Sequence, residues 1–547
     1  MSRIRTIVTT AALSLLWTAA VTAAPKSPTT QELTVALDYG TFQGAYSSGY
    51  SISYWQKIPF AAPPVGALRF RGPQPPKSYT CGGVYNSSQT FDMCPQRTTN
   101  DSEDCLYLGL YTRPWTPTQP LRPVIIAFYG GGFIRGSATF TPPSSLYPIH
   151  NLTGGDTVVI YPNYRTNAFG FLPGRQVADD WPESDLNPGL LDQRAAIEWA
   201  RRHVANFGGD PDRITIQGQS AGGGSVLAQV LAVAGEEDSD AAPRPFRAAL
   251  ANSPFWPKVY RYDSPEAQWI FDKVAEEVGC GRAPSAAEEP DTRLACLKTA
   301  DVQAIRQAAL LIADSHVHTT STFTWAPVID GRFLRRPLSS LASGRSGIVA
   351  GFAMYNTHEG EDFIPPVGNL SFDSWLPGFL PNLLPEDLAA VKSTYPEIGS
   401  SETIAEYRNS SVRAGLIYRD VVLACPALWF ANSSGQGWLG EYSISPAKHA
   451  SDVYWSKQLN DNQWNTINPV HETDRCHFEG YTGALASFLQ NGDPNAKKLT
   501  NSSIPGVPSL TSGKQFHIDS QGLDQVELTY LIDRCALWQS LAPKMPL

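Results

Sequence analysis

The stretch Ile214-Thr215-Ile216-Gln217-Gly218-Gln219-Ser220-Ala221-Gly222-Gly223-Gly224-Ser225 decides how the rest of this chain is read. A β-branched run breaks at a glycine and continues into a sequence suited to a helix. Its centre, Gly218-Gln219-Ser220-Ala221-Gly222, has the G-x-S-x-G spacing of a nucleophile elbow. There the strand-to-helix turn is so tight that side chains two before and two after the serine would strike neighbouring backbone. Such a turn lifts the Ser220 hydroxyl clear of the sheet. A five-residue pattern also fits a glycine-rich helix start, so the surrounding chain has to decide.

Composition narrows the possibilities. With 42% hydrophobic and 17% charged residues over 547 positions, the chain has a globular composition and enough apolar material for a large core. A net charge of −9 disfavours nucleic acid or anionic membrane as the main partner, since both require basic surface, and favours a small molecule. Residues 1–24 carry Arg3 and Arg5, then the apolar run Ile7 to Ala20, then Val21-Thr22-Ala23-Ala24, the pattern of a signal peptide. No later stretch reaches transmembrane length, so integral membrane association is not expected. In a secreted chain the 8 cysteines read as bridges rather than metal ligands. The N-x-S/T sites at Asn86, Asn100, Asn151, Asn369, Asn409, Asn432 and Asn501 agree with an exposed, glycosylated surface.

Taken in order, Leu33 to Tyr39 and Tyr50 to Tyr54 read as short strands of an N-terminal flap, followed by the proline-rich segment Ile58 to Pro64. Arg122 to Phe128 is a buried strand that stops at Tyr129-Gly130-Gly131-Gly132-Phe133, and Thr157 to Tyr161 is another. A helix over Leu191 to Asn206 leads into the strand Arg213 to Gln217, and the elbow helix runs to about Ala234. Strands over Phe246 to Asn252 and Ile348 to Phe352 follow, with helical material over Ser264 to His318 and Trp375 to Phe430. Alternating strand and helix argue for a mostly parallel sheet, and no repeat or linker divides residues 25–547, which read as one catalytic domain with helical insertions.

A serine hydroxyl is a weak nucleophile and needs an imidazole to take its proton and a carboxylate to orient the imidazole. Glu359, directly after a strand and before Gly360, is the best acid, although His358-Glu359-Gly360-Glu361-Asp362 also reads as a solvated acidic loop. For the base, Asn468 to His477 offers His471 and His477. The same segment holds Asp474 and Cys476, but no H-E-x-x-H and no C-x-x-C accompany them, so neither a metal nor another cofactor is expected. Gly131 and Gly132 can offer unobstructed N–H groups to a developing oxyanion, and Ala221 supplies one more.

With these pieces in order, the chain resembles the type-B carboxylesterase and cholinesterase family of α/β-hydrolases. The resemblance is carried by Ser102 to Leu108, Tyr129 to Phe133, Asn163-Tyr164-Arg165 with Phe169 to Leu172, Asn206 to Pro211, Gly218 to Gly223, Pro327 to Gly331 and Gly492 to Asn495. It implies an α/β fold with a large, mostly parallel central sheet flanked by helices. It implies Ser220 as nucleophile, Glu359 as acid, His471 as base, and Gly131, Gly132 and Ala221 as the oxyanion hole. The family's bridges imply Cys94–Cys105, Cys280–Cys296 and Cys425–Cys535, leaving Cys81 and Cys476 for a fourth.

Two departures bear on substrate. The loop between Cys94 and Cys105 is too short for the lid of this family's fungal lipases and lacks the tryptophan with which cholinesterases hold quaternary ammonium. Gln219 stands where cholinesterases place Glu, which removes a charge that would attract a cation. A neutral ester is the expected substrate, with Gln219 beside it and Trp256, Phe323 and Trp325 as candidate walls, each of which also reads as a core aromatic. A biosynthetic acyl transfer, cyclisation or elimination would use the same groups, and a non-catalytic neuroligin-like adhesion protein would need none of them.

Overall fold

The structure is a computed structural model that describes residues 27–79, 83–96, 102–138, 157–234, 244–283, 290–315, 324–364, 371–396, 409–452, 472–497 and 505–545. Its strands are β1 (Thr34–Leu37), β2 (Gly40–Gln43), β3 (Ala45–Ser47), β4 (Ile52–Pro59), β5 (Val84–Asn86), β6 (Tyr107–Thr112), β7 (Arg122–Phe128), β8 (Val158–Pro162), β9 (Gly209–Gln219), β10 (Ala248–Asn252), β11 (Ala350–Asn356), β12 (Gln436–Tyr442), β13 (Lys514–Ile518) and β14 (Leu523–Glu527). The helices that matter below are α1 (Pro188–His203), α2 (Ala221–Ala234), α3 (Pro265–Val278), α4 (Phe372–Phe379), α5 (Ser410–Arg419), α6 (Cys425–Ser433), α7 (Glu472–Asn491) and α8 (Thr529–Leu541).

An 11-stranded sheet in the order β14-β13-β12-β11-β10-β9-β7-β8-β6-β4-β3 forms the centre of the molecule. From β8 through β7, β9, β10, β11 and β12 to β13 every neighbouring pair is parallel. Both margins, β14 on one side and β6, β4 and β3 on the other, pair antiparallel. The central strands read as continuous apolar runs because helices cover both faces: β7 buries every residue after Arg122, and β10 and β11 bury every residue. The N-terminal flap is a separate sheet, β1-β2-β5, tied down where the Trp199 indole donates to the Tyr39 hydroxyl and that hydroxyl donates to the Pro59 carbonyl; the strand expected in the flap around Tyr50 to Tyr54 is instead β4 of the central sheet, paired with β6.

Helix α2 is buried along its whole length, as expected of a helix that is apolar all round and lies between the sheet and its neighbours. Its glycines let it approach closely: a Cβ on Gly222 would lie 2.2 Å from the Phe128 carbonyl oxygen at the end of β7. On the far side, α6 and α8 are joined by Cys425–Cys535, whose Cα atoms lie 5.3 Å apart. Cys94–Cys105 and Cys280–Cys296 form the other two bridges. Cys81 and the side chain of Cys476 lie outside the described residues, as does the leader segment 1–24. Among the described residues, the helical run Ser410–Ser433 alone is long and apolar enough to cross a membrane, and it is wholly buried within the protein.

Candidate active site

Parallel strands deliver their carboxyl ends to one edge of the sheet, and the loops leaving that edge are where such folds place ligands. Here β7 ends in the Gly130-Gly131-Gly132 loop, β9 in Ser220, β10 in Ser253 to Trp256, β11 in the loop bearing Glu359, and β12 in the loop bearing His449. Gln219 at the end of β9 is in register with Asn252, and Asn356 at the end of β11 with Tyr442.

Ser220 sits at φ 59°, the left-handed region that a non-glycine residue adopts only when the surrounding backbone enforces it. Its amide donates to the Asn252 carbonyl at 3.0 Å, and its own carbonyl accepts from Gly224 at 2.9 Å and Phe255 at 3.0 Å. Neither Gly218 nor Gly222 could be larger, since a Cβ on Gly218 would lie 2.2 Å from the Gly222 carbonyl carbon. The glycine loop presses on the same turn: a Cβ on Gly130 would be 2.6 Å from the Gln219 carbonyl oxygen and 3.0 Å from the Ser220 Cβ. Gly131 and Gly132 turn at φ 119° and 65°. The loop is braced from below by Tyr129 and Tyr164, which stack at 4.1 Å and exchange hydroxyl-to-carbonyl hydrogen bonds.

The imidazole beside Ser220 belongs to His449. Its Nε2 lies 2.8 Å from Ser220 Oγ and its Nδ1 lies 2.8 Å from Glu359 Oε2. Because a carboxylate only accepts, Nδ1 carries the proton and Nε2 is left to accept from the serine hydroxyl. Glu359 is fully buried, and its other oxygen accepts from the Asn356 amide at 3.1 Å. Among the described residues the imidazole against Ser220 is thus that of His449 and not of the expected base, His471. His471 lies outside the described residues, and the side chain of His477 is not described either.

The sequence held a signal for His449. The small Ala450 follows it, Asp452 stands three residues on, and the apolar Val453-Tyr454-Trp455 comes next. What hides it is β12, a short strand with two glycines and the polar Gln436 and Glu441 that an apolar pattern does not announce, so nothing marks the loop beyond it as a sheet-edge loop.

The loops bearing Glu359 and His449 are stitched to each other. The His449 amide donates to Asp362 at 2.8 Å, Lys448 pairs with Glu361, the His358 amide donates to the Ala447 carbonyl at 2.9 Å, and the Thr357 amide to the Tyr442 carbonyl at 3.0 Å. Behind them Arg419, buried on α5, donates to the Thr357 carbonyl at 3.1 Å and pairs with Asp420 at 2.8 Å, which also pairs with Arg534 of α8. Burial pushes the Asp420 carboxyl up, but the two guanidinium groups outweigh it and hold the group below its ordinary range. Asp452 faces the opposite balance: buried beside the Asn356 and Asn252 amides and near the Glu359 charge, its carboxyl is pushed up, chiefly by burial.

Of the remaining expected residues, Gln219 flanks the serine, and its buried amide nitrogen has no hydrogen-bond partner among the described residues. Trp256 is buried on the segment that follows β10. Trp325 packs in an apolar cluster with Phe271, Ile305 and Ile312, and its indole donates to the Ala309 carbonyl at 3.0 Å. Phe323 lies outside the described residues. Asn86 and Asn432 are exposed, Asn409 caps α5 by accepting from the Val412 amide, and Asn100, Asn151, Asn369 and Asn501 lie outside the described residues.

A mixed sheet with a parallel centre, helices on both faces and an elbow serine at its carboxyl edge defines an α/β-hydrolase. Within that class the chain belongs to the carboxylesterase family, whose profile matches residues 31–538, and this makes it a carboxylic ester hydrolase. It is 30% identical over 409 residues to the secreted triacylglycerol lipase LIP1 of Gibberella zeae, a match that spans 68% of this chain and 67% of that one. It is 29% identical over 394 residues to secreted lipase 1 of Botryotinia fuckeliana, spanning 66% of each chain. Carboxylesterase patB of Penicillium expansum is 26% identical over 89% of this chain and 92% of its own. Among solved structures, Aspergillus niger EstA superposes with a TM-score of 0.77 at 23% identity, covering 94% of this chain and 99% of EstA.

Proposed function

We propose that this chain is a secreted hydrolase that cleaves carboxylic esters lacking a cationic group, neutral esters being the simplest, through an acyl-Ser220 intermediate. The observation that carries the reading is the placement of one imidazole, His449, within hydrogen-bond distance of both the elbow serine and a buried carboxylate. In this reading His449 Nε2 takes the Ser220 proton as Oγ attacks the ester carbonyl. Glu359 holds the imidazole in the tautomer that can accept it and stabilises the imidazolium that forms. The Gly131, Gly132 and Ala221 amides receive the developing oxyanion, each donor worth about 3 kcal/mol in the transition state. Ala221 is the first residue of α2, so its amide has no partner within the helix and the helix dipole favours negative charge there. The imidazolium then returns its proton to the departing alcohol, and water repeats the sequence on the acyl-enzyme.

Absence of a cation in the substrate is supported by Gln219, a neutral amide beside the nucleophile. Secretion is supported by the leader-like residues 1–24, by three disulfides and by relatives whose names describe them as secreted. The test is pre-steady-state release of p-nitrophenol from p-nitrophenyl acetate or butyrate. A burst stoichiometric with enzyme, lost in Ser220→Ala, is expected; undiminished turnover in Ser220→Ala would refute the mechanism. Inactivity on a panel of simple esters, with Ser220 still labelled by an organophosphate, would redirect the reading to acyl transfer or cyclisation on a biosynthetic substrate.

A further inference from the structure

The segment Ser253 to Tyr260 leaves the carboxyl end of β10 beside the elbow and holds two donors without a hydrogen-bond partner among the described residues. It is fixed to the site, since the Phe255 amide donates to the Ser220 carbonyl at 3.0 Å and the Trp256 amide to the Val422 carbonyl at 2.9 Å. Trp256 is 1% exposed, and its indole nitrogen has no hydrogen-bond partner among the described residues. Two residues on, Lys258 is only 8% exposed, and no described residue offers its ammonium a hydrogen bond or an ion pair.

The surroundings of that ammonium are aromatic and continuous with the catalytic groups. Lys258 Nζ lies 5.3 Å from the centroid of Phe379 on α4. Phe379 stacks on Tyr418 at 5.3 Å, Tyr418 on Phe363 at 4.9 Å, and Phe363 meets the His449 ring edge-on at 5.2 Å, with Phe255 stacked on its other side at 5.7 Å. A wall of rings thus runs from the imidazole to the amine. Phe255 and Lys258 are three residues apart, so their Cα atoms lie within about 11 Å, which puts the amine on the segment that hydrogen-bonds to the Ser220 carbonyl.

An unpaired cation inside a protein is costly, and an aromatic face recovers only part of its lost hydration. Methionine or leucine would fill the same space without that cost. Burial depresses the amine to about 8, and the one charge that opposes this is Glu266, in the first turn of α3, which forms no ion pair with it. Among the described residues the ammonium therefore has an aromatic face but no anion beside it.

We propose that Lys258 is the anion-binding residue of the substrate pocket, and that preferred substrates carry, beyond the scissile ester, a carboxylate received by its ammonium. This rests on the ester-hydrolase reading above and narrows it: neutral esters are accepted, half-esters of short dicarboxylic acids or esters of acidic alcohols are preferred.

The experiment is a ratio of kcat/KM values, so that a general loss of activity cancels. One arm compares mono-p-nitrophenyl succinate, adipate and suberate with p-nitrophenyl butyrate, hexanoate and octanoate, placing the carboxylate on the acyl side. The other compares 4-acetoxybenzoate with 4-methylphenyl acetate, placing it on the alcohol side. The wild type is expected to prefer the carboxylate in one arm by at least tenfold, chiefly through KM. Lys258→Met should abolish that preference and Lys258→Arg should keep it within about threefold. No preference in either arm of the wild type would overturn the proposal, as would a preference that survives in Lys258→Met; if that variant does not fold, the wild-type ratios and Lys258→Arg still decide. Turnover of neutral esters without any carboxylate preference defeats this inference alone, whereas no turnover and no organophosphate labelling of Ser220 defeats the underlying reading.

Discussion

Replacing His449 with alanine separates the structure from the histidine that the sequence favoured. Among the described residues His449 joins Ser220 Oγ and Glu359, by two contacts of 2.8 Å each, and its side chain is 14% exposed. Truncating a partly exposed ring at a loop should cost little stability, so a melting temperature within a few degrees of wild type is expected. The kinetic cost is large because the serine loses both the acceptor for its proton and the donor for the leaving alcohol. General acid–base catalysis alone is worth about 10²–10⁴, and removal of a triad histidine, where serine, base and acid act as a unit, costs up to about 10⁶ in kcat. A fall of about 10⁴–10⁶ in kcat corresponds to about 5–8 kcal/mol of transition-state stabilisation. The assay is steady-state hydrolysis of p-nitrophenyl butyrate, with His471→Ala alongside and expected to stay within about threefold of wild type. If His449→Ala kept more than about a hundredth of the activity, or if His471→Ala fell as far, this geometry would not be the catalytic one, because the imidazole that contacts Ser220 among the described residues would be dispensable.

Two further substitutions probe how the site is held. Gly360→Ala would place a Cβ 1.9 Å from the Gly415 carbonyl oxygen and 2.6 Å from the Arg419 amide. The resulting displacement should cost about 1–3 kcal/mol in denaturant unfolding and lower kcat by moving Glu359; wild-type values of both would show that α5 and the acid loop are not in the contact seen. Lys258→Met should raise stability at neutral pH. Burial depresses the folded-state amine to about 8 from an ordinary 10.5, so the charged form is penalised below about pH 8, and the penalty fades as pH rises to 10.5. That depression amounts to about 3 kcal/mol as an upper figure, so the variant's advantage at pH 7 should disappear by about pH 10; equal stability at pH 7 would mean the amine is solvated.

Much of this was legible in the sequence because the relevant signals are local and steric. The elbow shows in the chain because Gly218 and Gly222 have no room for a side chain, and the strands β7, β8, β9, β10 and β11 show because burial on both faces makes them apolar runs. The place of Glu359 at the sheet edge was readable because it follows such a strand directly. That of His449 was not, because its strand β12 contains Gly437 and Gly440 and buries only part of its length, so no apolar run points to the loop that follows. Nor did β6, β13 and β14 stand out, whose place at the margins is set by pairing with distant strands rather than by local pattern. The packing of Arg419, Asp420 and Arg534 behind the acid joins α5 to α8 across more than a hundred residues, a relation no local reading contains.

The account stands most directly on the acyl-enzyme itself. Enzyme mixed with p-nitrophenyl butyrate, quenched in acid during the burst and digested, should yield one butyrylated peptide, the one containing Gly218 to Gly222, with the acyl group on Ser220 and none in Ser220→Ala. Full turnover with no acyl group at Ser220, or with the group on another residue, would contradict it.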